Sequence, residues 1–234
     1  MFILVMIITN KDRVVYFNDR AALGEQMAVK LAPVKGTDAI VIGLKKSSLM
    51  ACITLAVRLR AWVYPLFFEI IQNPTDPTQI LGAVVPSGEF CLNPAVGNDF
   101  YEYVQQEFFS MLEDEKREAM KRLNAAITEY GDTLDPHVLN NRTVVLVGDV
   151  MMNSREREII KVLLKPLSPA RVIGTVRNVT IDVSTQFHIA THESHMLDII
   201  PGSTMNADHY FEAQDAYSDS EKQALIRNIA TYWT

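Results

Sequence analysis

The sequence predicts an α/β protein with a mostly parallel central sheet, helices on both faces, an inserted β-hairpin and a long helical insertion. Short continuous apolar runs alternate with amphipathic segments, and runs of this kind are typical of strands buried on both faces of a parallel sheet. No Pro- and Gly-rich linker divides the chain, so we expect one domain over residues 1–234 with the insertion at about residues 80–130.

The first part of the chain supplies strands and helices in alternation. Its N-terminal apolar run is too short for a signal-peptide core with a cleavage site or for a membrane span, so we interpret it as a buried strand. The segment WVYPLFFEII predicts one strand, in which Pro65 marks a bend or an edge. The other predicted elements are strands at Phe2–Thr9, Val14–Phe17 and Ala39–Leu44, and helices at Asn18–Ala32 and Ser47–Arg60.

The insertion begins after a predicted loop, NPTDPT. The segments ILGAVV and FCLN predict a hairpin with its turn around Ser87–Gly88. Asp99 and Glu102 have the spacing of a capping box that opens a long helix toward Tyr130. The apolar stripe of that helix is Phe100, Val104, Phe108, Leu112, Met120, Leu123 and Ile127.

In the last part of the chain, predicted strands and helices alternate again. TVVLVG, RVIGTV and MLDII predict strands. Helices are expected from about Ser154 to Lys165 and over Ser184–His195. Ser218 and Glu221 form a second capping box, which opens a C-terminal helix to Ala230.

Composition and charge argue against several classes of protein. The net charge of −6 does not favour a nucleic-acid surface, because phosphate binding needs clustered Lys and Arg. No segment has the length and apolar content of a membrane span, so no membrane partner is expected. Cys52 and Cys91 form no CxxC motif and predict core thiols rather than a disulfide framework, which favours a cytoplasmic location.

Five segments, in matching order and spacing, resemble the family of predicted bacterial phosphoribosyltransferases, which have the type I phosphoribosyltransferase fold. The segment FNDRAALGEQMAVKL is similar to that family's F-x-D-R-x-x-A-G-x-x-L-A-x-x-L. The four further matches are VIGLKKSSLMACITLAVRL, ILGAVVPSGEFCLN, TVVLVGDVMMNS and the tail HYFEAQDAYSDSEKQALI. The resemblance runs along nearly the whole chain.

The resemblance implies an activity and a set of ligand contacts. Such enzymes transfer ribose 5-phosphate from phosphoribosyl pyrophosphate to a nitrogen base, with Mg²⁺. Acids at one strand end hold the ribose hydroxyls, and the turn that follows holds the 5-phosphate through backbone N–H groups. A second loop and nearby cations hold the pyrophosphate as it leaves. The resemblance also implies self-association, so we expect a homodimer.

The stretch VVLVGDVMMNS keeps only part of the sugar-phosphate motif. Of the family's paired acids only Asp149 remains, because Gly148 replaces the first. We assign the catalytic role to Asp149 as a ribose ligand, and the equally weighted alternative is a solvated loop acid or a cap for the next helix. Asn153, Ser154 and Arg155 replace the glycine-rich phosphate turn and are candidate ligand-binding residues, although bulky neighbours resist the conformations of an anion nest.

The pyrophosphate loop departs from the family as well. The family's P-R-G-G is replaced by Lys45, Lys46, Ser47 and Ser48, which keep positive charge and add hydroxyls, so an anion could still bind there. In the following strand the family's Arg-Lys pair falls at Phe68 and Glu69, so an anion replaces an expected cation. Three ligand-contacting segments have changed while the core pattern has not.

A cluster of histidines is the remaining metal candidate. His188, His192 and His195 lie on one face if Ser184–His195 is helical, and three imidazoles at this spacing could ligate zinc. The favoured alternative is a polar helix face or ring stacking against a partner chain, so no metal is expected. The metal content of the purified protein tests this interpretation.

Two functional hypotheses follow. The first is a phosphoribosyltransferase-like protein with weak or lost transferase activity that acts as a ligand-binding, regulatory or assembly module. Its expected ligand is a phosphorylated sugar or a nucleotide, and it needs no cofactor. The second is an active phosphoribosyltransferase that uses Asp149, Lys45, Lys46 and Asn153 with phosphoribosyl pyrophosphate and Mg²⁺.

Overall fold

The computed structural model describes residues 16–130, 136–148, 163, 168–180, 191–200 and 211–232. The predicted N-terminal strand, nearly all of the second strand and nearly all of the helix expected from about Ser154 to Lys165 lie outside these residues. The described part contains two β-sheets and five α-helices.

The larger sheet has five strands, and every pairing within it is parallel. The strands are β1 (Ala39–Gly43), β2 (Trp62–Pro65), β6 (Thr143–Gly148), β7 (Arg171–Thr180) and β8 (Glu193–Ile200). Their spatial order is β2-β1-β6-β7-β8. The predicted α/β class with a mostly parallel central sheet is therefore confirmed.

The central strands β1 and β6 are apolar except at Thr143 because the core covers both of their faces. Val41 and Val145 belong to the core cluster on one face, whereas Ile40 and Val144 belong to the cluster on the other. This division follows from the two-residue period of a strand. Each such side chain contributes about 1.5–3 kcal/mol through burial.

Helices α1 (Arg20–Lys30), α2 (Leu49–Leu59) and α5 (Asp219–Tyr232) pack on the face of this sheet that carries Val41 and Val145. Helices α1 and α2 approach closely at Gly24, where a Cβ atom would lie 2.5 Å from the carbonyl oxygen of Ala51. The predicted capping box of α5 is confirmed, since the Ser218 N–H donates to the Glu221 carboxylate at 2.7 Å and the Glu221 N–H donates to Ser218 Oγ at 3.4 Å. None of the described helices combines the length and apolar content needed to cross a bilayer.

The smaller sheet is antiparallel, with strands β3 (Glu69–Asn73), β4 (Asp76–Val84) and β5 (Phe90–Leu92). Its spatial order is β3-β4-β5. The predicted hairpin is confirmed, and Gly88 in its turn has a φ of +83°, which favours glycine. The expected loop NPTDPT is instead a tight turn between β3 and β4, in which the Thr75 N–H donates to Asn73 Oδ1 at 3.1 Å.

The segment WVYPLFFEII is two strands rather than the one expected. Strand β2 ends at Pro65, which is opposite Gly43 of β1, and β3 begins at Glu69 in the other sheet. Residues 66–68 carry the chain between the two sheets. This connection lies at the edge of the larger sheet where β1 ends.

The long helix of the insertion is interrupted. Helix α3 (Asn98–Glu107) and helix α4 (Phe109–Tyr130) are separated at Phe108. The predicted Asp99 capping box is wrong, because α3 begins after Gly97 and has no side-chain cap at its first residue. The predicted apolar stripe is largely correct, since Val104, Leu112 and Leu123 are buried, although Phe100 is exposed.

The helix predicted over Ser184–His195 is wrong at its C-terminal end. Strand β8 begins at Glu193 and includes the predicted MLDII strand, and the two residues before it form a bend. Residues 184–190 lie outside the part of the chain that the structure describes.

Candidate functional site

The loop after β1 lies at the edge of the larger sheet where parallel strands end, which is where open α/β sheets bind ligands. Lys46–Ser48 form a single 3₁₀ turn that leads directly into α2. Ser48 is fully buried, and its hydroxyl donates to the Lys45 carbonyl at 2.7 Å and accepts from the Lys45 N–H at 3.3 Å. The Ser48 hydroxyl therefore links the end of the loop to the backbone of Lys45 at its start.

Lys46 is held by two carboxylates from distant parts of the chain. Its Nζ atom lies 3.0 Å from Glu129 Oε1 of α4 and 2.8 Å from Asp219 Oδ2 of α5. The same ammonium lies 5.3 Å from the centre of the Tyr130 ring, a distance at which a cation is attracted to an aromatic face. Lys46 is therefore part of an intramolecular ion-pair network.

The electrostatics of this network follow from its geometry. The hydrogen bond to Asp219 is the main cause of the raised pKa of Lys46, and the same contact lowers the pKa of Asp219. Burial raises the pKa of the Tyr130 hydroxyl, and the adjacent Asp219 carboxylate adds to this shift. At neutral pH Lys46 is thus a fully charged cation facing two carboxylates.

A second charged cluster lies at the start of β3. Glu69 Oε2 accepts from Arg122 Nε at 2.9 Å, and the same guanidinium donates from Nη2 to Glu115 Oε1 at 3.1 Å. The hydrogen bond to Glu69 is the main cause of the raised pKa of Arg122. The acid that replaces an expected cation is thus neutralised by an arginine of α4.

A cleft of about 400 Å³ lies between these two clusters, and we refer to it as the loop cleft. Lys45 and Lys46 line it together with the connection at residues 65–70. Its other lining residues include Leu44, Leu49, Leu123, Ala126 and Tyr130, and we call the buried Leu49 and Leu123 its floor. Three separate parts of the chain thus build a concave, mostly apolar site at the end of β1.

The structure brings together only some of the site residues that the sequence predicts. Lys45 and Lys46 line the loop cleft, Ser47 lies between Lys46 and the buried Ser48, and Glu69 lines the cleft as well. Asp149, Asn153, Ser154 and Arg155 lie outside the described residues, so their roles stay predictions. The sequence did not predict the residues that contact Lys46 and Glu69 or their partners, which are Glu129, Tyr130, Asp219, Arg122 and Glu115.

The two described histidines of the zinc hypothesis make other contacts. His192 Nδ1 accepts from the Val172 N–H at 3.0 Å. His195 Nε2 lies 2.6 Å from Glu193 Oε1, and burial lowers the pKa of His195, so the neutral ring donates to this carboxylate. His195 lies in a strand, so the helical spacing behind the hypothesis is wrong for His192 and His195. The described residues contain no cluster of three or more His, Cys, Asp or Glu that could hold a metal ion.

No family model and no curated protein sequence matches the chain. Among solved structures, it is similar to TT1426 from Thermus thermophilus, with a TM-score of 0.71, 22% identity, and coverage of 92% of this chain and 99% of that one. It is also similar to a hypoxanthine phosphoribosyltransferase from Staphylococcus aureus, with a TM-score of 0.42, 10% identity, and coverage of 86% and 85%. A hypothetical protein from Neisseria gonorrhoeae with bound ppGpp has a TM-score of 0.44, 12% identity, and coverage of 92% and 96%.

The likeness to the Thermus protein extends over nearly the whole of both chains and shows a shared fold. The described parallel five-stranded sheet with a smaller antiparallel sheet is consistent with the type I phosphoribosyltransferase fold that the sequence predicts. Likeness at this level of identity concerns the fold alone, because one fold supports many unrelated functions. Function must therefore be argued from the site.

Proposed function

We propose that the protein is a type I phosphoribosyltransferase-fold module whose transferase activity is weak or lost and that acts by binding a ligand or by assembly. The observation that carries this proposal is the position of Lys46. Its ammonium is bound by Glu129 and Asp219 in the loop where the family resemblance places the leaving pyrophosphate.

An incoming pyrophosphate would have to displace these two carboxylates. Both carboxylates belong to helices that are packed against the rest of the fold, so they cannot diffuse away from Lys46 as free counterions would. Near Glu69, Arg122 is shared between Glu69 and Glu115, so this cluster offers the anion no uncompensated cation. Charge-assisted hydrogen bonds that are already formed within the protein are thus an obstacle to anion binding.

The alternative is an active phosphoribosyltransferase. It requires Asp149 and Asn153 to hold the sugar phosphate with Mg²⁺, and Lys45 and Lys46 to hold the pyrophosphate. The prediction of a phosphorylated sugar or a nucleotide as ligand depends on the same strand-end residues, at positions 149–155. The contacts of Lys46 count against the pyrophosphate half of this alternative.

Calorimetry with phosphoribosyl pyrophosphate and Mg²⁺ tests the proposal. We expect no binding heat, and no release of pyrophosphate above the rate in buffer when a panel of nucleobases is supplied. A thermal unfolding transition in the same buffer shows that the protein is folded. Micromolar binding that disappears in Asp149→Ala would overturn the proposal and establish the alternative.

An exposed aromatic surface favours assembly as the role that remains. The described surface of α3 and α4 carries Phe100, Tyr103, Phe109 and Met111, with 36%, 55%, 58% and 53% of their surfaces exposed. Exposed apolar side chains grouped on two consecutive helices are typical of an interaction surface. We propose that this surface forms the homodimer, in a cytoplasmic protein whose Cys52 and Cys91 stay as free thiols.

Light scattering on the full chain tests the homodimer. We expect a dimer for the unmodified protein and a monomer for the double variant Tyr103→Glu with Phe109→Glu. The control is Val29→Glu, because Val29 is 72% exposed on α1, away from this surface. A monomer at all concentrations, or a dimer that persists in the double variant, would contradict the assembly role.

A further inference from the structure

We propose that the loop cleft binds an uncharged ligand that carries an aromatic ring, in the position where the family resemblance places pyrophosphate. This proposal rests on the proposed function, since it assumes that the loop no longer holds an anion. It adds the chemical class of the ligand, which neither the fold nor the comparisons assign.

The walls of the cleft are the first reason. Only Lys45, Lys46 and Glu69 carry a charge among the described residues that line it. Leu49 and Leu123, each 1% exposed, form a packed floor. A mostly apolar cleft of about 400 Å³ is within the size range of small-molecule sites and suits an apolar group.

The charges at the rim are the second reason. Lys46 lines the cleft and faces two carboxylates, and the lining residue Glu69 is paired with Arg122, which also contacts Glu115. An anion that enters beside Lys46 therefore meets a cation that is already compensated. An uncharged ligand avoids the cost of breaking these ion pairs.

The aromatic side chains of the cleft are the third reason. Phe67, Phe68 and Tyr130 line it, and the rings of Phe67 and Tyr130 are 6.1 Å apart at an angle of 44°. Tilted rings at this distance present both edges and faces to the space beside them. A planar ring can then make the offset or edge-to-face contacts that aromatic pairs prefer.

Two fluorescent probes that differ by one sulfonate group test the proposal. N-phenyl-naphthylamine is uncharged, and anilinonaphthalene sulfonate has the same rings with an added sulfonate. We expect the full chain to bind the uncharged probe at least tenfold more tightly than the sulfonate, and inorganic pyrophosphate not to displace it. Tighter binding of the sulfonate, or displacement by pyrophosphate, would overturn the proposal.

Two tryptophan substitutions locate the bound probe. Ala126 faces the loop cleft, whereas its neighbour Ala125 is exposed on the same helix and does not line the cleft. We expect Ala126→Trp to fill the cleft and weaken binding of the uncharged probe at least tenfold. Ala125→Trp should leave binding within twofold of the unmodified protein, and matching thermal unfolding curves show that both variants fold.

The outcomes separate this proposal from the proposed function. If the unmodified protein does not bind the uncharged probe, or if Ala126→Trp binds it as well as Ala125→Trp does, the ligand class is wrong even when transferase activity is absent. If phosphoribosyl pyrophosphate is consumed, the proposed function fails whatever the probes show.

Discussion

The apolar floor and the charged rim of the loop cleft are stabilised by different interactions. On the floor, Leu49 and Leu123 are each 1% exposed and belong to the packed core. At the rim, the Lys46 side chain is 54% exposed and that of Glu129 is 42% exposed, so water screens their ion pair. The floor should therefore control the stability of the fold, and the rim should control which charge can enter.

The largest effect is expected at the floor. Leu123→Ala removes a fully packed side chain, so it should lower the free energy of unfolding by about 2–5 kcal/mol. Chemical denaturation measures the change. Asn124→Ala on the same helix is the control, because Asn124 is exposed and lies outside the proposed dimer surface, so its loss should cost less than about 0.5 kcal/mol. A loss below about 1 kcal/mol in Leu123→Ala would show that the floor is not tightly packed.

The next effect is expected at the rim, and it concerns binding rather than stability. The double variant Glu129→Gln with Asp219→Asn removes both carboxylates from Lys46. Binding of inorganic pyrophosphate, measured by calorimetry, should become at least roughly tenfold tighter, which is about 1.4 kcal/mol. Adding Lys46→Met to the double variant should remove the gain. An unchanged affinity would show that the ion pairs do not exclude the anion.

A smaller effect is expected for the stability of Asp219→Asn as pH changes. At neutral pH the variant should lose about 0.5–1 kcal/mol, as is usual for an exposed pair. Lys46 lowers the pKa of Asp219 in the folded state below its ordinary value of 3.8, so the contribution is present above that pH and is lost as pH falls through the folded-state pKa.

Denaturation of both proteins over a range of pH tests this dependence. The difference between the unmodified protein and Asp219→Asn should shrink once the pH falls below 3.8. Asp114→Asn is a matched control, because Asp114 pairs with Arg117 at 2.8 Å on the exposed face of α4 and does not contact Lys46. A difference that stays constant down to the acid limit would contradict the proposed role of the Lys46 contact.

The smallest effect is expected for Tyr130→Phe. The Tyr130 hydroxyl is buried beside the Asp219 carboxylate but makes no hydrogen bond of good geometry to it, so its removal should change the free energy of unfolding by less than about 0.5 kcal/mol. Equilibrium unfolding in denaturant measures the change. A loss of about 1 kcal/mol or more would show that this hydroxyl donates to Asp219.

The sheet could be predicted because burial on both faces leaves a simple pattern. The runs AIVIG and TVVLVG are continuous apolar segments, and they form the adjacent central strands β1 and β6. The change of sheet after Pro65 leaves no such pattern, since apolar residues continue through Leu66 and Phe68. Only the packed structure shows that these residues cross from one sheet to the other.

Helix starts were predicted with mixed success, for a local reason. Ser218 and Glu221 have the capping-box spacing, and the chain adopts it. Asp99 and Glu102 have a similar spacing, but Gly97 has a φ of 78° and the helix begins at Asn98, so Asp99 lies within the first turn. With Gly97 at the cap position, the helix starts before the predicted cap Asp99.

At the candidate site, the sequence identified positions but not their partners. Lys46 and Glu69 were predicted from the motifs that surround them, including the change of charge at Glu69. Their neutralising partners are far along the chain, so no local pattern indicates that Glu129 contacts Lys46 or that Arg122 contacts Glu69. Such contacts arise only from the tertiary packing of α4 and α5 against the sheet.

The contact between Lys46 and Asp219 also has a consequence for biosynthesis. A ribosome makes the β1 loop long before the first turn of α5. Lys46 therefore emerges without this carboxylate. Until α5 is made, anions in solution can bind Lys46 without competition from Asp219. Removal of α5 from the finished protein would expose Lys46 in the same way.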